Sequence, residues 1–144
     1  MAEFCIIQKL KASHGKTPEE REFRIEVVVE GAIDPETEYT GGVDFFRVMR
    51  DLSMILSPLR GKYLRPILNE AGFRTSVLEA IGVFLFRQLK EKGDYPIKSI
   101  RVWENNFISA TVFPEDCDFN NRDSNRDTEK SPKKKRKSKK EKSR

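Results

Sequence analysis

The sequence predicts an α+β domain: a four-stranded antiparallel sheet with two helices on one face, in the order strand, strand, helix, helix, strand, strand. Three observations predict it. Residues 23–31 alternate Phe23, Ile25, Val27 and Val29 against Arg24, Glu26 and Glu30, the period-two pattern of a half-buried strand. Residues 45–56 and 77–89 carry apolar side chains at helical spacing on one side only. Residues 97–103 and 107–113 alternate again, joined by the short Glu104-Asn105-Asn106 turn. One-sided helices and half-buried strands each need an apolar face to cover, and a two-layer domain lets them cover each other.

The elements follow in chain order. Residues 4–12 read as the first strand, with Phe4, Ile6 and Leu10 alternating against Cys5, Ile7, Lys9 and Lys11. The turn His14-Gly15-Lys16-Thr17-Pro18 ends it and makes a hairpin with residues 23–31. Residues 32–42, with Pro35 and Gly41-Gly42, form a turn-rich connection. Asp44 is placed as the N-cap of a helix carrying Phe45, Val48, Met49, Leu52, Ile55 and Leu56, stopped by Ser57-Pro58. Residues 59–72, punctuated by Arg60, Gly61, Pro66 and Gly72, read as irregular. The second helix opens near Thr75-Ser76, where Ser76-Val77-Leu78-Glu79 has capping-box spacing, and Gly93 marks its end. Its apolar stripe is Val77, Leu78, Ile81, Leu85 and Leu89, broadened by Phe84 and Phe86. Met49, Met54 and the phenylalanines of both helices are assigned to the core.

At 144 residues the chain supports one domain, placed over residues 1–115, followed by a disordered polar and basic tail over 116–144. The tail holds the charge. Residues 130–144, opening on Lys130 and closing on Arg144, contain ten Lys or Arg and one acid, a net of +9. The whole chain is +5, which leaves 5 − 9 = −4 for residues 1–129 and argues against a basic groove on the domain beyond a local patch. The run Ser131-Pro132-Lys133-Lys134-Lys135-Arg136-Lys137 is similar to a nuclear-localisation signal and is also a generic polybasic arm suited to weak, salt-sensitive nucleic-acid contact. No aromatic is interleaved in it for stacking on bases. Cys5 and Cys117 form no C-x-x-C pair and no disulfide framework, so a reducing, cytoplasmic setting is expected, with nuclear import depending on a eukaryotic host. The apolar runs are strand-sized, and neither a membrane span nor a secretory leader is expected.

His14 is the one histidine of the chain, which rules out a three-histidine metal site within one chain. Its setting, Lys11-Ala12-Ser13-His14, resembles the Ala-Ala-His that ends the first strand in the 6-pyruvoyl-tetrahydropterin synthases and 6-carboxytetrahydropterin synthases of the tunnelling fold. Further segments carry the resemblance over about residues 4–113. Gly31 with Asp34 is similar to a Gly-x-x-Asp turn, and Gly42-Val43-Asp44-Phe45 to the Asp-Phe entry of helix one. Leu64 and Asn69 resemble a Tyr-Leu-Asn segment with residues inserted, Thr75-Ser76 a Pro-Thr-Ser, and Trp103-Glu104 the glutamate ending strand three.

The resemblance implies the tunnelling fold, trimeric or hexameric homo-oligomers with sites at subunit interfaces, and zinc held by three histidines. Here Glu19 and Arg21 stand where the second and third imidazoles would be, and a guanidinium offers a metal no lone pair. The loop matching the family's catalytic cysteine is short and lacks one, Leu-Asp-His becomes Leu59-Arg60-Gly61, and the glutamate after Pro-Thr-Ser becomes Val77. No zinc or other cofactor and no zinc-dependent lyase reaction are therefore expected, and no catalytic residue is assigned. The ligand-anchoring end is retained. Glu104, with Thr75 and Ser76, matches the positions that hold a pterin or purine-like ring by its paired N–H groups. The alternative for Glu104 is an exposed hairpin-turn residue. Two alternatives for the whole chain stand beside this binder. One is a diverged enzyme of pterin or deazapurine metabolism using His14 with Glu19, Glu22 or Arg60. The other is an oligomeric interaction protein displaying its basic tails to nucleic acid.

Overall fold

The computed structural model describes residues 1–117, and the expectations of disorder, nucleic-acid contact and nuclear import placed on the tail beyond Cys117 lie outside the described residues. The chain divides after Pro114, and the first unit, residues 1–114, carries the whole sheet. Its four strands lie in the order β1-β2-β3-β4, all antiparallel: β1 Ala2–Ser13, β2 Glu20–Gly31, β3 Ile97–Glu104 and β4 Ile108–Val112. β1 and β2 pair from Ala2↔Gly31 to Ser13↔Glu20, so the first hairpin is longer than the apolar alternation alone indicates. The polar residues 20–22 carry no hydrophobic signal and are drawn into the strand by the ladder. In the β3–β4 turn Asn105 and Asn106 both take positive φ, 54° and 68°, which asparagine tolerates better than most side chains.

The side chains of Phe23, Ile25, Val27 and Val29 alternate onto one face of β2 and are fully buried under the helices. Leu10 of β1 and Ile100 and Val102 of β3 extend that layer. Helix α1, Phe45–Leu56, starts as its sequence indicates, with the Asp44 side chain accepting from the Phe46 N–H at 3.0 Å. It presents Val48, Leu52, Ile55 and Leu56 to the sheet. Phe45, Phe46, Met49 and Met54 do not join the core; Phe46 is 63% exposed. They flank the sheet-facing stripe, and a single sheet face can cover only one stripe of a helix.

Two further expectations are corrected. Residues 59–72 are not wholly irregular: after a 3-10 turn at Ser57–Leu59 they contain helix α2, Leu64–Glu70, which buries Leu64 and Leu68 one turn apart. Pro66 sits in the first turn of α2, where N–H groups have no intrahelical acceptor and its missing donor costs nothing. Helix α3, Leu78–Lys92, begins one residue later than a Ser76 cap requires: Val77 is the N-cap and makes no side-chain cap bond. The Ser76 hydroxyl instead accepts from the Gly15 N–H at 2.9 Å. Val77 is consequently exposed rather than part of the stripe. α3 lies close on the sheet, since a Cβ at Gly82 would stand 3.0 Å from a Val112 methyl.

The loop after the 3-10 turn lies along the outer edge of β1. The Gly61 N–H donates to the Lys11 carbonyl at 2.7 Å, and the Ser13 N–H donates to the Lys62 carbonyl at 3.0 Å. This covers the last residues of an otherwise open sheet edge.

Candidate functional site

Strand register assembles the site. Ala12 pairs with Arg21 and Phe23 with Glu104, and directly paired residues share a sheet face. Arg21 is two residues from the buried Phe23, so Arg21 and Glu104 project on the helix side at one end of the sheet. His14 follows the last residue of β1 at that same end and packs edge-on against Phe23, ring centroids 5.1 Å apart.

The polar contacts converge on Glu104. His14 Nε2 lies 3.0 Å from Glu104 Oε1, and Arg21 Nε donates to Glu104 Oε2 at 3.0 Å. The other end of the Arg21 guanidinium reaches Glu19 Oε1 at 2.6 Å. On its far side, His14 Nδ1 lies 2.7 Å from the Ser76 carbonyl oxygen. A carbonyl only accepts, so Nδ1 carries a proton. Nε2 faces a carboxylate, so an imidazolium satisfies both contacts, and a neutral ring satisfies the second only against a protonated Glu104. Glu19 first, and Glu104 after it, hold the Arg21 pKa above its already high ordinary value.

Glu104 is thus not a free hairpin-turn side chain: it is 20% exposed, with His14 against one oxygen and Arg21 donating to the other. Ser76 is buried and enters the cluster through its carbonyl and its hydroxyl. Thr75 is exposed and makes no hydrogen bond to another described residue. Glu22 and Arg60 are not brought to His14; both line a separate pocket with Lys9 and Lys11. The sequence reading missed Tyr63 and Arg65, whose side chains both donate to the Gly15 carbonyl and fix the loop that carries His14. No local pattern marks them, because the contact spans about 50 residues and comes from the start of a helix too short to show a period.

A model of the 6-pyruvoyl tetrahydropterin synthase family matches residues 6–115, most of the chain. The chain belongs to that family. The solved structure of 6-pyruvoyl tetrahydropterin synthase from Caenorhabditis elegans is similar in fold, with a TM-score of 0.67 over 78% of this chain and 94% of that one, at 13% identity. The four-stranded antiparallel sheet and its helices are the tunnelling fold of this family. A search among curated proteins finds no match. Among the described residues no helix is long and apolar enough to cross a membrane.

Proposed function

We propose that this 6-pyruvoyl tetrahydropterin synthase-like protein does not run the zinc-dependent lyase reaction and instead binds a pterin or purine-like ring through Glu104. The observation that carries the reading is the place of Arg21. Its guanidinium lies between Glu19 and Glu104, beside the one histidine. Zinc needs lone pairs from neutral imidazole, thiolate or carboxylate, and a guanidinium in the shell supplies none and repels the ion. Among the described residues no three His, Cys, Asp or Glu side chains are grouped to hold a metal. The residues present do not fit zinc.

Glu104 supports the binding half. A part-buried carboxylate keeps its charge only with donors on its oxygens, and without ligand Arg21 supplies one of them. A 2-amino-4-oxo pyrimidine edge carries two adjacent N–H groups and can take that place, with Arg21 retaining Glu19 on the solvent side. Arg21 is 33% and Glu19 66% exposed, so the pair is free to move outward. Thr75 and Ser76 flank the same end of the sheet and are proposed as pocket lining. We further propose a trimeric or hexameric homo-oligomer, since β1 and β4 are the outer strands of the sheet.

Titration of neopterin or guanine into the purified full chain tests the reading. Saturable binding is expected, abolished by Glu104→Ala and tightened by Arg21→Ala, which removes the internal competitor. Failure of wild type and Arg21→Ala alike to bind either ring would overturn it and leave the cluster as a structural tie between strand ends.

A further inference from the structure

We propose that Lys9, Lys11 and Arg60 form a binding site for a small phosphorylated ligand on the sheet face opposite the helices. The site is independent of the Glu104 cluster and uses different residues. Lys9 and Lys11 alternate with the buried Leu10 and Ala12, so they project away from the helices. Register sets Glu22 of β2 directly across from Lys11 and Arg24 across from Lys9. Arg60 arrives from the loop along the β1 edge and is fixed there. Its guanidinium donates to the Lys9 carbonyl at 2.9 Å, while the neighbouring Gly61 N–H donates to the Lys11 carbonyl. Lys9, Lys11, Arg60, Gly61 and Glu22 together line a cavity of about 290 Å³.

Charge argues for an anion. Three cations face one carboxylate in this cavity, although residues 1–129 as a whole carry −4. Some basic side chains of the domain meet acids, as Arg24 does with Glu26 at 2.7 Å and Arg21 with Glu19 at 2.6 Å. Among the described residues none of Lys9, Lys11 and Arg60 has such a partner. Two lysines and an arginine lining one concavity can swing their charged ends onto phosphate oxygens, which take several charge-assisted bonds at once. The cavity, about 290 Å³, lies just under the range of ligand pockets, about 300–1,000 Å³. A small phosphorylated molecule fits such a cavity better than a nucleic-acid strand does. Glu22 is placed to accept from a hydroxyl or amino group on the organic part.

The test is calorimetric titration of pyrophosphate into the full chain at low ionic strength, with wild type, the double variant Lys9→Ser/Lys11→Ser and Glu22→Gln. Wild type should bind saturably, and the double variant should lose about tenfold or more in affinity. Glu22→Gln should bind pyrophosphate more tightly, an outcome that misfolding does not imitate. Equal affinity in wild type and the double variant would place the binding on the basic residues 130–144 and overturn the proposal. Absence of wild-type binding at millimolar pyrophosphate would also overturn it. So would a single-stranded oligonucleotide that binds through these lysines where pyrophosphate does not.

Discussion

At the scale of single residues, two buried or part-buried acids organise the domain, and each makes a measurable prediction. Asp51 of α1 is 3% exposed; it accepts from the Tyr95 hydroxyl and from Arg50, whose terminal nitrogen lies 3.2 Å away. Burial first, and the Asp51 carboxylate after it, push the Tyr95 hydroxyl above its ordinary pKa of 10.0. The unfolded chain then releases that proton at lower pH than the folded one. The tyrosine's contribution is whole below pH 10 and is lost as pH rises through the folded value. Tyr95→Phe should therefore cost about 1–2 kcal/mol at neutral pH and flatten the alkaline limb of stability against pH. Denaturant melts from pH 7 to 11 would check both. At the other end of the sheet, Glu104→Ala strands the donors of His14 and Arg21 and should cost about 1–2 kcal/mol. Arg21→Ala should cost less, because its ion pairs are screened by solvent. The reverse order in denaturant midpoints would contradict the central place given to Glu104.

At the scale of elements, α1 depends on its cap, and Asp44→Ala should lower stability by about 1 kcal/mol in the same melts. The β2 exit depends on close backbone approach. A Cβ at Gly31 would stand 2.6 Å from the Gly41 Cα, backbone that cannot swing aside. Gly31→Ala should therefore exceed the loss at Asp44, by displacing the connection over 32–42. This scale also separates what was legible from what was not. The strands and α1 were legible because a half-buried strand and a one-sided helix write their periods into the sequence, as Phe23 to Val29 and Val48 to Leu56 do. α2 was not, since seven residues give two buried leucines and no period. The start of α3 was misplaced because a tertiary bond from Gly15 captured the Ser76 hydroxyl that local spacing reserved for capping. The family pattern singled out Glu104, Thr75 and Ser76 as ligand-anchoring positions and His14 as a matching position; His14, Ser76 and Glu104 meet in hydrogen-bond contact, and Thr75 does not join them. The bond from Arg21 to Glu104 joins residues 83 apart and exists only through the β2–β3 register. The exposure of Phe45, Phe46, Met49 and Met54 was likewise hidden, because composition does not say which stripe of α1 meets the sheet.

At the scale of the molecule, the fold is that of the 6-pyruvoyl tetrahydropterin synthase family. Strand pairing still brings the ends of β1, β2 and β3 together. What they present is an internal cation with two carboxylates. On the proposed reading this end holds no metal, because Arg21 already neutralises the acids that a bare cluster would leave in repulsion. The most direct measurement of that claim is the zinc content of the full chain, purified without chelator and exchanged into metal-free buffer, by atomic spectroscopy. The account predicts no stoichiometric zinc and a melting temperature that added zinc or EDTA leaves unmoved. One zinc per chain, with a melting temperature that falls when EDTA removes it, would contradict it.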